Sequence, residues 1–188
     1  MIERILGLTE AEGAKALCLK GFKDGLLAIK NLRLLYLTPL AGLLDHLIEC
    51  VVASPSPDAA LNNIESIIKD IPVDLLERTA TPVVVEQISR IAGSSAFLSS
   101  IISRNPAHYK WLFDGGGLLE VKDAIIFRAE LADAFRPVAT PEDATRALRL
   151  YKQKEFLRIG SKDLLRLADV IEVTRELSDL ASASLDIA

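Results

Sequence analysis

The sequence predicts an all-α fold, a bundle-like array of helices with no β-sheet, and three observations carry that expectation. Apolar residues recur at three- and four-residue intervals, as in Leu40, Leu43, Leu44, Leu47, Ile48, Val51 and Val52, which marks one face of a helix and not of a strand. Thr-Pro and Asn-Pro pairs at Thr81-Pro82, Asn105-Pro106 and Thr140-Pro141 stand ahead of such segments, where a side-chain cap and a first-turn proline open a helix. Half of the 188 residues are hydrophobic and 26% are charged, the balance of a packed globular chain.

In order, the first 38 residues are apolar but interrupted by Gly7, Gly13, Gly21 and Gly25, and predict one or two helices, with Thr9 as an N-cap. The segment Lys23 to Tyr36 has Leu26, Leu27, Ile29, Leu32, Leu34 and Leu35 almost all round, so it predicts a largely buried helix. Thr38-Pro39 restarts a helix that ends before Ser54-Pro-Ser-Pro57. Asp58 reads as the N-cap of a helix with Leu61, Ile64, Ile67 and Ile68 inward, and with Asn62 and Asn63 on or beside the solvent side. Ile71-Pro72 breaks it, leaving a short turn to Arg78. Val85, Ile88, Ile91 and Ala92 then run to Gly93, read as a terminator. Ser94 or Ser95 caps a helix to Ile102, and the next carries His108, Tyr109, Trp111, Leu112 and Phe113. Gly115 to Gly117 reads as a loop, without the preceding strand and following Lys-Ser/Thr of a phosphate-binding loop. Val121, Ala124, Ile125, Ala129, Ala132 and Phe135 predict a helix from Leu118 to Phe135. The loops at 53–58 and 136–141 are candidate sub-boundaries within one helical region, 1–188.

Composition excludes several function classes. The net charge of -4 and an aromatic content of 5% argue against nucleic-acid binding. Leu34 to Ala53, the most hydrophobic stretch, is broken by Pro39, Asp45, His46 and Glu49, which argues against a membrane span. Cys18 and Cys50 stand alone, without a histidine at ligand spacing, and read as two free, buried thiols. His108 has no acidic or cysteine partner in register and reads as a packing or surface residue, and His46 reads the same way. Met1-Ile-Glu-Arg has an acidic residue where a signal peptide would be basic, and the expectation is a cytoplasmic location.

The segment from Arg146 to Leu185 is the most informative. Arg146, Arg149, Lys152, Lys154, Arg158, Lys162 and Arg166 are offset only by Glu155 and Asp163. Arg158, Lys162 and Arg166 recur every four residues and, with an unbroken helix through Gly160-Ser161, form a positive ridge. Such a ridge is usually a solvated face; the sharper reading makes these residues the candidate contacts to another domain or an acidic partner. A long C-terminal amphipathic helix follows. Leu167, Val170, Ile171, Thr174, Leu177, Ala181 and Leu185 share an apolar face, and Asp169, Glu172, Arg175, Glu176 and Asp179 the opposite one.

The same residues carry a family likeness. Tyr151-Lys-Gln-Lys-Glu-Phe-Leu-Arg-Ile-Gly160, Lys162-Asp-Leu-Leu-Arg-Leu-Ala-Asp169 and Glu172-Val-Thr-Arg-Glu-Leu-Ser-Asp-Leu-Ala181 closely resemble the glutamine synthetase adenylyltransferases. So do Ala60-Leu-Asn-Asn-Ile-Glu65, Gly93-Ser-Ser-Ala-Phe-Leu98, Arg104-Asn-Pro106 and Trp111-Leu112, in the family's order. The resemblance implies a helical lead-in to a nucleotidyltransferase domain. In the whole enzyme it implies ATP- and Mg-dependent transfer of AMP to a tyrosine of glutamine synthetase, and phosphorolytic removal, the latter belonging to the N-terminal half. Glutamine and PII signal proteins are implied regulators. The implied Asp-x-Asp metal pair occurs nowhere in the chain, and Gly93-Ser94 leads into the apolar Phe97, Leu98, Ile101 and Ile102. The expectation is a helical segment whose catalytic domain lies elsewhere, with no catalytic, cofactor-binding or metal-binding residue of its own. The alternative is a free-standing helical interaction scaffold, which the same fold would suit.

Overall fold

The computed structural model describes every residue except Val138 and Ala188. Among the described residues it holds twelve α-helices and two 3-10 turns, with no strand, so the all-α expectation holds. The chain forms two compact units, Met1–Asp114 and Gly115–Ala188, divided at the triple glycine. The loops at 53–58 and 136–141 each join helices inside one unit; Val138, within the second loop, lies outside the described residues.

The first unit contains α1 (Ile2–Leu6), α2 (Glu10–Cys18), α3 (Gly25–Tyr36), α4 (Leu44–Val52), α5 (Pro57–Ile68), α6 (Val73–Thr79), α7 (Pro82–Ser94), α8 (Ala96–Arg104) and α9 (Pro106–Phe113). Its packing is carried mainly by α2 on α3, α5 on α7 and α8, and α4 on α7. Leu17, Ile29, Leu32, Leu47, Val51, Ile64, Ile67, Ile91 and Ile102 fill the core. The sequence signals set most of the caps. Thr9 and Glu12 form a reciprocal capping box at α2, and Thr81, Ser95 and Asn105 cap α7, α8 and α9 through their side chains.

Several expectations are corrected. Helix α3 is only half buried, because Leu26, Leu27 and Leu34 point to solvent while Ala28, Ile29, Leu32 and Leu35 point inward. Pro39 does not open α4; a 3-10 turn at Ala41–Leu43 intervenes. Asp58 is not the cap of α5, which begins at Pro57 after Ser56. Its carboxylate instead accepts the backbone N–H groups of Lys23 and Asp24 at 2.8–3.1 Å, tying α5 to the start of α3. Burial pushes that carboxyl up, but these amides outweigh burial and hold it below the usual range. Gly93 does not end α7; it lies inside the helix, where a Cβ would come 2.6 Å from Ser54 Cβ. Cys18 is exposed and Cys50 half-buried, so the expected pair of buried thiols is not present.

The second unit is a three-helix up-down-up bundle of α10 (Ala124–Phe135), α11 (Pro141–Leu164) and α12 (Val170–Ile187). Phe127, Leu131, Tyr151, Ile159, Leu180 and Ala183 form its core. Helix α10 starts six residues later than expected, at Ala124, because Asp123 caps it and a 3-10 turn with extended chain precedes it. Thr140 caps α11, whose helix continues through Gly160 and Ser161. That helix ends at Leu164: Arg166 adopts a left-handed φ of 57°, and the N–H groups of Arg166 and Leu167 turn back to the carbonyls of Asp163 and Lys162. The expected long C-terminal helix follows this turn as α12, and the break keeps Arg166 off the helix that carries Arg158 and Lys162. The buried face of α12 is also the reverse of the expected one. Glu176, Leu180, Ala183 and Ser184 are inside, while Val170, Ile171 and Leu185 are exposed.

Candidate functional site

The inversion of α12 has its cause in the second unit's interior, which holds a cluster of charges. Helix α11 runs antiparallel to α12, so Arg158 and Lys162 meet Glu176 and Glu172 at matching four-residue spacings. Arg158 is 0% exposed; its Nε donates to Glu155 Oε2 at 2.8 Å, and its Nη1 donates to Glu176 Oε2 and to the Glu120 carbonyl, both at 2.8 Å. Lys162 Nζ reaches Glu172 at 2.6 Å and Glu176 at 3.4 Å. Lys122, in the extended chain before α10, brings its Nζ to Glu155 and Glu130 at 2.8 Å and to Glu120 at 3.2 Å. Its backbone N–H donates to Glu176 Oε1. Tyr151 closes the edge, donating to Glu130 at 2.7 Å, and the Phe127 ring lies 5.9 Å from the Arg158 guanidinium.

The electrostatics follow from burial and these partners. Burial pushes the Lys122 ammonium down, but Glu130 and Glu155 outweigh it and hold the group above the ordinary lysine range. Burial pushes Glu130 up, yet the hydrogen bonds from Lys122 and Tyr151 keep it below the usual carboxylate range. Burial, and then the Glu130 carboxylate, raise the Tyr151 phenol far above its usual value. Every carboxylate in the cluster is bonded to a lysine or arginine, so none is poised as a general base. Among the described residues no three His, Cys, Asp or Glu side chains stand where they could share a metal ion. The cluster does not fit Mg-bound ATP, because its carboxylates are already neutralised by Lys122, Arg158 and Lys162.

Arg158 and Lys162 are therefore internal, and the continuous exposed ridge expected of Arg158, Lys162 and Arg166 does not form. The four-residue spacing does put two of them on one helix face, but that face is turned into the bundle. Arg166, past the end of α11, is exposed. Sequence reading missed Lys122, Glu155 and Glu176 as members of a site. The available signal was the pairing of Arg158/Lys162 with Glu172/Glu176, two basic and two acidic residues at equal spacing on successive helices.

A second concavity lies in the first unit, a cleft of about 420 Å³ between α4 and α7 lined by His46, Glu49, Cys50, Glu86, Ser89 and Arg90 among others. His46 Nε2 lies 3.3 Å from the Pro82 carbonyl oxygen and 3.8 Å from Cys50 Sγ. Burial, with Glu86 and Glu49 adding to it, pushes the Cys50 thiol up, which keeps it protonated and unreactive. His108 stands at the start of α9, 3.5 Å from the Asn105 amide. No helix among the described residues is long and apolar enough to cross a membrane.

The charged cluster falls wholly within the stretch that known proteins share. The family model described as glutamate-ammonia ligase adenylyltransferase matches residues 85–188. Curated relatives named bifunctional glutamine synthetase adenylyltransferase/adenylyl-removing enzyme include that of Mycobacterium tuberculosis, 31% identical over 152 residues, covering 78% of this chain and 15% of the relative. The Corynebacterium glutamicum protein of that name is 33% identical over 155 residues, covering 79% of this chain and 15% of the relative. The Mycobacterium marinum protein is 28% identical over 194 residues, covering 97% of this chain. The chain thus spans only 15–19% of the length of these relatives. No solved structure matches it. With a family model over more than half its residues, this chain belongs to the glutamate-ammonia ligase adenylyltransferase family.

Proposed function

We propose that this chain is the helical platform of a bifunctional enzyme that adds AMP from ATP to a tyrosine of glutamine synthetase and removes it by phosphorolysis. The platform itself is non-catalytic. The observation that carries this reading is the family match over residues 85–188, a stretch in which each carboxylate of the charged cluster is paired with a lysine or arginine and, among the described residues, no carboxylates group to hold a divalent ion. The ATP- and Mg-binding groups then belong to a catalytic domain in the rest of the longer relatives' length, with glutamine synthetase as its protein substrate and PII signal proteins as regulators. The setting is cytoplasmic. Of the three candidate contact residues, Arg166 is the one exposed and available to that domain or to an acidic partner, whereas Arg158 and Lys162 serve it by holding the platform rigid.

The test uses the chain with glutamine synthetase, labelled ATP and Mg, and then with labelled adenylylated synthetase and phosphate. Neither label transfer to the synthetase nor release from it should occur. Release of AMP by this chain alone would refute the reading. In a protein extended to the relatives' length, Arg166→Glu should lower the rate without moving the unfolding midpoint; an unchanged rate would remove Arg166 from the contact.

A further inference from the structure

The cleft of about 420 Å³ in the first unit is built by two helices with the same spacing. His46, Glu49 and Cys50 stand at i, i+3 and i+4 on α4, and Glu86, Ser89 and Arg90 stand at i, i+3 and i+4 on α7, so each helix turns three polar side chains toward it. That volume suits a small molecule or one long side chain. Ser89 lies on the floor, 1% exposed, and its hydroxyl has no hydrogen-bond partner among the described residues. Other buried helical hydroxyls of this chain, those of Thr79, Ser99 and Ser184, donate to the carbonyl one turn back. That of Ser89 does not, and a buried hydroxyl left unpaired costs stability. At the exposed rim Glu86 pairs with Arg90 at 3.5 Å, whereas Glu49 makes no ion pair among the described residues.

We propose that this cleft binds a protonated primary amine, with Glu49 and Glu86 at the rim and the Ser89 hydroxyl on the floor as its acceptors. Charge selects the class. Two carboxylates against one guanidinium leave the cleft net negative, which disfavours an anion. The Cys50 thiol registers the same field, since burial and then Glu86 and Glu49 push it up. A divalent ion needs more than His46 and Cys50, and no three His, Cys, Asp or Glu side chains among the described residues stand where they could share one. A neutral molecule leaves Glu49 without a counter-charge. An ammonium brings one positive charge and three N–H donors, and asks for no donor in return. Ala53 and Pro55 offer apolar surface to the alkyl part. A free small amine and the lysine side chain of another protein present the same group.

NMR titration of the isotope-labelled chain tests this, with putrescine as the free amine, a blocked lysine peptide as the side chain and butanediol as the uncharged control. The amides of Cys50, Ser89 and Arg90 should shift saturably with an amine and stay in place with butanediol. Saturation at the lower concentration by putrescine assigns the cleft to a free amine, and by the peptide to a lysine side chain. Glu49→Gln, on the exposed rim, should weaken binding by about tenfold or more with an unchanged circular dichroism spectrum. Ser89→Ala should weaken it by about threefold or more while the urea midpoint holds or rises, because the variant removes an unpaired buried hydroxyl. Amines that leave these amides in place, or butanediol that moves them equally, overturn the proposal. So does an affinity that Glu49→Gln leaves unchanged, or a Ser89→Ala variant that loses stability and keeps its affinity, which would make the hydroxyl a part of the fold alone.

Discussion

Replacing Arg158 with methionine tests the buried charge cluster directly. The substitution keeps the aliphatic stem beside Phe127 and removes the guanidinium, which holds Glu155 and Glu176, themselves 0% and 1% exposed. Glu155 keeps Lys122, and Glu176 keeps Lys162 at 3.4 Å and the Lys122 N–H, so neither carboxylate is wholly orphaned. Both lysines are shared, Lys122 with Glu120 and Glu130 and Lys162 with Glu172, so without Arg158 two cations face the five carboxylates of the cluster. Removing one partner of a buried ion pair typically costs about 3–5 kcal/mol. A bundle of this length is stabilised by roughly 4–11 kcal/mol in all, so the loss takes much of its stability. At about 1.5 kcal/mol per M the urea midpoint of the second unit should fall by roughly 2–3 M. The assay is urea-dependent hydrogen exchange at the amides of α11 and α12, which reads this unit rather than the whole chain. A loss below about 1 kcal/mol would refute the reasoning, since it would mean that Arg158 and its carboxylates remain hydrated. Neutralising the stranded groups as well, with Arg158→Met, Glu155→Gln and Glu176→Gln together, should recover part of the loss.

Three other outcomes are expected. A Cβ at Gly25 would run into the Ala14 carbonyl oxygen where α2 crosses α3, so Gly25→Ala should destabilise the first unit by about 1–3 kcal/mol in a thermal or urea melt; a neutral effect would contradict the close approach. Arg166 pays for a left-handed backbone without being glycine, so Arg166→Gly should stabilise the second unit by about 0.5–1 kcal/mol, and a loss of stability would show that the Arg166 side chain matters to the fold. The pH dependence has two limbs. Glu130 is depressed, so its contribution is complete above the usual carboxylate range and is lost as pH falls through its folded value. Lys122 is raised, so its contribution is complete below the usual lysine range and is lost as pH rises through its folded value. Urea midpoints of the second unit should therefore hold a plateau across neutral pH and fall below about pH 4; Glu130→Gln should shrink the acid limb, and an acid limb of unchanged size would contradict the assignment.

Much of the helical framework was legible because its signals are local. Thr9, Thr81, Asn105 and Thr140 cap the helices they precede, and the spacing from Leu44 to Val51 names the buried face of α4 correctly. The end of α11 was not legible, because Leu164-Leu-Arg-Leu167 contains no glycine or proline and the turn rests on an arginine in a left-handed conformation. The orientation of α12 was misread for a non-local reason. Periodicity identifies two faces but assumes that the apolar one is inside, and here Arg158, Lys162 and Lys122 draw Glu176 inward across elements distant in sequence. The same gap hid the site. A basic run looks like a solvated surface until the antiparallel course of α11 and α12 shows that its middle residues face matching glutamates.

The central claim is that Arg158 is an internal strut of the helical platform and not part of an exposed docking ridge. Its Nε–H proton, resolved by NMR, measures this most directly. The account predicts slow exchange with water and a through-space contact to the Phe127 ring. Exchange as fast as that of the exposed Arg166 would contradict it.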